Sequence, residues 1–109
     1  MFNELVEALK AIPNVAFSEN EWNPRPAYDH GTVQLDFSAA QDAGDDLHQD
    51  MAWQGSVDVY TRGRGDEAAQ AVERVLEGIC GAAWKLNLRA YERETKLTHR
   101  EYVFEIEVI

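Results

Sequence analysis

From Gly55 to Ile109 the apolar residues recur with a period of two, then near 3.6, then two again. A strand, a helix and two further strands follow from that pattern, and no other element type fits it. Met51, Trp53, Gly55, Val57 and Val59 share one face of a long strand, with Ala52, Gln54, Ser56, Asp58 and Tyr60 opposite. The glycines of Thr61–Gly65 provide a change of direction. Asp66 then stands where an N-cap acceptor is needed, and Gly81 stands where a helix would end. Between them Ala68, Val72, Val75, Leu76 and Ile79 form an apolar stripe, while Glu67, Gln70, Glu73 and Glu77 are expected to face water. Trp84, Leu86 and Leu88, opposite Lys85, Asn87 and Arg89, predict the next strand. After the turn Arg93–Lys96 comes a last strand, with Tyr102, Phe104, Ile106 and Val108 on one side and Glu101, Glu105 and Glu107 on the other. Both apolar faces of this hairpin are expected in the core.

The first half is less regular. Phe2, Leu5, Val6, Leu9 and Ile12 fall at helical spacing, with Asn3 as a possible cap and Pro13 as the stop. Val15 and Phe17 suggest a brief strand before Trp22-Asn23-Pro24-Arg25-Pro26, whose prolines exclude a central strand. Val33, Leu35 and Phe37 predict a half-buried strand. The polar stretch from Gln41 to Asp50 is too long for a tight hairpin turn and is expected to project from the body. The order is therefore α-β-β-β-α-β-β: an α+β fold in which a mainly antiparallel sheet is covered by two helices, as a single domain spanning residues 1–109.

Charge narrows the function. Twenty acidic residues against ten basic ones give a formal net charge of -10, so the field around the protein repels phosphate. A broad nucleic-acid interface, and sequence-specific nucleic-acid binding with it, is not expected. An aromatic fraction of 10% argues against disorder. The single cysteine, Cys80, allows no intrachain disulfide, and its place at the end of the apolar stripe assigns it to packing. The N-terminal Met1–Leu5 carries an acid where a secretory signal carries bases, and apolar runs are too short for a membrane span. A cytosolic, membrane-free chain is expected.

No catalytic, cofactor or metal constellation emerges. Asp42, Asp45, Asp46 and Asp50 gather four carboxylates, but a calcium loop counted from Asp42 has Gly44 at the third position instead of the sixth, so a solvated loop is the default. His30, His48 and His99 are too widely spaced for two to share a helix face as zinc ligands. His99 could pair with an acid across the final hairpin. Gly63-Arg64-Gly65 lacks the lysine and hydroxyl of a phosphate-binding loop and reads as a turn, and Arg64-Gly65-Asp66 is too short to carry a cell-adhesion reading. Without a nucleophile, a base and oxyanion donors in one pattern, no enzyme is expected.

Two features suggest contacts with protein. Trp22, beside the proline-rich segment, is a candidate partner contact, since Trp53 and Trp84 lie on apolar strand faces. Lys85, Arg89 and Arg93 with Glu101, Glu105 and Glu107 form either a solvated face with weak cross-strand ion pairs or one side of a subunit contact.

The order of elements, the proline-bearing loop, the long polar loop, Val57-Asp58-Val59-Tyr60-Thr61 before the helix, and the terminal hairpin with Tyr91-Glu92-Arg93-Glu94-Thr95 and His99-Arg100-Glu101-Tyr102-Val103-Phe104 resemble the tail terminator and head-tail joining (neck) proteins of long-tailed bacteriophages. The resemblance spans most of the chain and rests on order and length. It implies a non-catalytic virion protein, made in the host cytoplasm, that forms a ring, usually a homo-hexamer, at the head-proximal end of the tail. Such a ring terminates tube polymerisation and joins the tail tube protein to the head-completion or neck protein. Carried onto this chain, it places Asp42, Asp45, Asp46 and Asp50 towards the tube or lumen and the charged hairpin against neighbouring subunits.

An acidic lumen suits passing DNA, which should not adhere. So acidic a loop also predicts that ring formation depends on ionic strength or divalent ions. Two alternatives stay open: a head-completion or adaptor protein of the same neck, and an acidic inhibitor that imitates DNA. Against the last, Arg62, Arg64, Arg74, Lys85, Arg89 and Arg93 interrupt the acids.

Overall fold

A computed structural model describes residues 2–19, 29–36, 52–62 and 66–107. Trp22, Asp42, Asp45, Asp46 and Asp50 lie outside the described residues, as do Phe37, the Gly63–Gly65 turn and Val108; Glu107 is described in its backbone alone.

The elements are α1 (Phe2–Lys10), β1 (Ala16–Glu19), β2 (His30–Asp36), β3 (Ala52–Arg62), α2 (Glu67–Cys80), β4 (Trp84–Glu92) and β5 (Leu97–Glu107). This is the α-β-β-β-α-β-β order, an α+β fold. Helix α1 already includes Asn3, which therefore does not cap it. It stops at Lys10, before Pro13, and the chain turns through Asn14 at φ 68°.

Among the described residues the sheet has five strands, in the order β1-β2-β3-β5-β4. Pairing is antiparallel except for β1 and β2, which run parallel with Ala16 opposite His30. The β3–β5 ladder is the longest, from Ala52 opposite Glu107 to Arg62 opposite Leu97, and it joins the first half of the chain to the final hairpin. That junction is what alternation alone left open, because period two fixes which face a residue occupies but not which strand lies beside it.

The helices pack on one face of the sheet. Leu5, Val6, Leu9 and Ile12 from α1, Val72 and Leu76 from α2, and Val33, Val57, Val59, Tyr102, Phe104 and Ile106 from the strands make one core. Each fully buried leucine among them contributes about 1.5–3 kcal/mol relative to an exposed one. Two glycines on the core-facing side are covered by aromatic rings. A Cβ on Gly55 would lie 2.6 Å from Phe104 Cζ and 2.5 Å from the Gln34 carbonyl oxygen; one on Gly31 would lie 2.5 Å from Phe17 Cε1. Those residues are glycine because the rings occupy the space a side chain would need.

Gly81 closes α2 at φ 62°, donating its N–H to the Glu77 carbonyl at 3.1 Å, as the glycine signal predicted. The start of α2 departs from the expectation. Asp66 has φ -87° and ψ -3°, and its side chain makes no capping hydrogen bond. Its backbone carbonyl accepts from Gln70 N–H at 2.8 Å, while its carboxylate is engaged elsewhere.

Candidate functional site

The Asp66 carboxylate accepts from Arg100 Nη2 at 2.9 Å, and Arg100 Nη1 donates to Thr61 Oγ1 at 3.3 Å. The arginine side chain is 7% exposed, so Asp66 serves better as the counter-charge of a buried guanidinium than as a cap. Further along α2, Tyr102 donates its hydroxyl to Glu73 Oε2 at 2.6 Å, and Trp84 Nε1 donates to Glu77 Oε1 at 2.9 Å. Glu73 and Glu77 were expected to face water; Glu77 is exposed, whereas Glu73 is half-buried. They reach back over the edge of the helix and, with Asp66, bind it to β5 and β4 by a row of three contacts. Helical periodicity finds the apolar stripe but not the polar margin beside it.

The hairpin β4–β5 differs more. Leu86 pairs with Tyr102, but Leu88 pairs with Glu101, leaving Asn87 as an extra residue in β4. Tyr102 and Glu101 are consecutive and lie on opposite faces, so this bulge reverses the alternation of β4. Asn87 Nδ2 donates to Glu101 Oε1 at 2.9 Å. Leu88 consequently sits on the face away from the helices, and Arg89 falls opposite Arg100.

The expectation that Leu86 and Leu88 build the core is therefore wrong. They are 43% and 42% exposed, and Tyr91 is 59% exposed. Among the described residues these are the large apolar side chains left in solvent, and all three belong to β4. Trp84 is half-buried and meets Tyr102 edge-on, with centroids 5.8 Å apart; Tyr102 itself is fully buried.

Lys85, Arg89 and Arg93 are exposed, and among the described residues no ion pair joins them to Glu101 or Glu105. Cross-strand ion pairs thus do not account for these charges. Lys85 lies opposite Val103 and Arg89 opposite Arg100, a like-charge neighbour that β-sheets ordinarily avoid. Beside Lys85 an open groove of about 390 Å³ runs between Gln54, Ala83, Trp84 and Glu105. Strand β4 is an edge of the sheet, and no described strand covers its outer side.

On the face away from the helices, His30, Tyr60 and His99 stand directly opposite one another across β2, β3 and β5. Their rings stack, His30 on Tyr60 at 5.0 Å and Tyr60 on His99 at 4.3 Å. His99 Nε2 lies 2.8 Å from Asp58 Oδ1. An acid partner for His99 was foreseen, but it comes from β3 instead of the final hairpin. The signal was in the sequence: Asp58 and Tyr60 are two apart on a strand, so a neighbour opposite Tyr60 can reach both. Burial, then the nearby Asp58, Glu92 and Glu101 carboxylates, raise the Tyr60 hydroxyl above its ordinary pKa.

Cys80 is half-buried, and burial pushes its thiol up to about 11. Among the described residues, no three His, Cys, Asp or Glu side chains gather as a metal ion would require. No described helix is long and apolar enough to cross a membrane.

No protein-family profile matches the chain, and no curated protein matches it. Among solved structures, it is similar to a chain of one described as "Virion of native gene transfer agent (GTA) particle", with a TM-score of 0.59 and 15% sequence identity. The match covers 97% of this chain and 92% of that one. At that identity the likeness is one of fold, extending over almost the whole length of both chains.

Proposed function

We propose that this protein is a non-catalytic structural subunit of a phage-like particle, and within it the tail terminator: a ring that ends tail-tube polymerisation and presents the head-joining surface. The observation that carries assembly is β4, an edge strand on which Leu86, Leu88 and Tyr91 all remain exposed beside the exposed Lys85 and Arg89. A strand left in that state serves a partner. The particle context comes from the likeness over 97% of the chain to a gene transfer agent virion component.

In this reading the protein acts as a single domain and homo-hexamer in contact with tail tube protein and neck protein, at the head-proximal end of the tail. Asp42, Asp45, Asp46 and Asp50 belong to the tube or lumen side and Trp22 to a partner contact. The hairpin carrying Lys85, Arg89, Arg93, Glu101, Glu105 and Glu107 faces neighbouring subunits. The DNA-mimic alternative loses ground, because the hairpin exposes Lys85, Arg89 and Arg93 on the surface of an acidic chain.

Negative-stain imaging of purified protein tests the proposal. A six-fold ring with a tube-sized hole supports termination. A ring that binds heads but leaves tube length uncontrolled favours the head-completion role, and a monomer absent from assembled particles rejects both. Sedimentation across a salt and magnesium series tests the ionic component, which an unchanged oligomer rejects.

A further inference from the structure

We infer that β4 makes a heterologous self-contact: its basic, apolar edge docks on the acidic helical layer, α1 and α2, of a second copy. The inference rests on the assembly reading and names the surfaces that meet. From Lys85 to Lys96 the hairpin carries Lys85, Arg89, Arg93 and Lys96 against Glu92 and Glu94, in a chain whose net charge is -10. All four bases are exposed, and among the described residues none makes an ion pair. The helical layer has the opposite balance, with Glu4, Glu7, Glu67 and Glu77 exposed against Lys10 and Arg74. Glu77 already accepts from Trp84 within its own subunit, which leaves Glu4, Glu7 and Glu67 as the free acids of that layer.

Charge also weighs against one simple alternative, a symmetric β4–β4 pair centred on Arg89. Two β4 edges pairing antiparallel about a two-fold axis through Arg89 would set Arg89 against Arg89, like charges at contact distance. The Asn87 bulge would further break the ladder such a pair needs. A patch that attracts a different patch on the same molecule makes a head-to-tail contact, and head-to-tail contacts close into rings or continue as filaments.

Charge exchange tests this. The edge variant is Lys85→Glu with Arg89→Glu; the helix variant is Glu4→Lys, Glu7→Lys and Glu67→Lys. Each alone presents like charges at the contact and should weaken self-association roughly tenfold or more in sedimentation velocity. Mixed one to one, the acidic edge meets the basic helices and the basic edge meets the acidic helices, so oligomers of wild-type size should return. Rescue in the mixture shows that both variants are folded, and far-UV circular dichroism of each alone checks the same point. Variants that oligomerise like wild type overturn this contact but leave the ring reading standing. Two failing, folded variants that do not rescue each other overturn the pairing of these two surfaces. Wild-type protein that is monomeric at all concentrations overturns the second copy as occupant, while incorporation into particles decides the assembly reading separately.

Discussion

Tyr102 and Glu73 meet at 2.6 Å between strand β5 and helix α2, with the tyrosine ring wholly buried and its hydroxyl reaching the half-buried margin of the core. Tyr102→Phe keeps the ring, and its edge-on contact with Trp84, but removes the donor to a carboxylate. The expected loss is about 1–2 kcal/mol. Urea denaturation should show a lower midpoint with an unchanged slope; a midpoint equal to wild type would mean that water serves Glu73 as well as the tyrosine does.

The same hydroxyl gives the protein an alkaline limit. Burial first, and then the bond to Glu73, raise the Tyr102 pKa above its ordinary 10.0. The folded state therefore prefers the neutral phenol. Its stabilising effect is complete below pH 10 and declines as pH rises towards the folded value. Burial likewise raises Cys80 from 9.0 to about 11, so its contribution begins to fall near pH 9. Melting temperature should decline from about pH 9 upward, and Cys80→Ala should move the onset towards pH 10.

Cys80 should also react slowly. A thiol pushed from 9.0 to about 11 holds on the order of 100-fold less thiolate at pH 8 than an ordinary one. Iodoacetamide labelling of the folded protein, set against the protein in urea, measures the difference; equal rates would place the thiol in solvent.

Asp66 and Arg100 make an asymmetric pair, 63% and 7% exposed in their side chains. Asp66→Ala leaves a buried guanidinium with Thr61 as its remaining partner, whereas Arg100→Met removes the charge and keeps most of the volume. We expect Asp66→Ala to cost about 1–3 kcal/mol and Arg100→Met to cost less. Thermal denaturation of both gives the order, and the reverse order would show that the guanidinium finds water when Asp66 is gone.

Gly55→Ala should destabilise by about 1–3 kcal/mol, because the new methyl meets the Gln34 carbonyl, which cannot move without disturbing the β2–β3 ladder. Calorimetry of the single variant is sufficient, and a melting temperature within a degree of wild type would show that β2 yields.

How far the sequence foretells this molecule depends on the distance over which each signal acts. Alternation and helical spacing are local, and they placed Val57 and Val59, Val72 and Leu76, and Tyr102 and Phe104 in the core. Gly81 ended its helix because a positive φ is a property of one residue. The misplaced residues depend on neighbours remote in the chain. Asp66 reads as a cap until Arg100 is seen beside it. Glu73 reads as solvent-facing until Tyr102 arrives from β5 and half-buries it, while Glu77 stays exposed, as expected, though it accepts from Trp84. Leu88 reads as core because a bulge at Asn87 has no periodicity of its own. The stack of His30, Tyr60 and His99 required the β2–β3 and β3–β5 pairings, whereas a short connection made only the β4–β5 hairpin predictable. The exposed bases of β4 were visible in the sequence, but the exposure of Leu86 and Leu88 among them was not.

Asn87 is a spacer in β4, standing between two stretches that are each in register with β5. Deleting that one residue would leave Leu86 opposite Tyr102 and Leu88 opposite Glu101, so Leu88, Arg89, Ala90, Tyr91 and Glu92 would keep their present sides while the bulge and the Asn87–Glu101 hydrogen bond were lost. A single-residue gap at this point would straighten β4 and still present the same side chains to a neighbour, so the recognition surface tolerates a one-residue change in length.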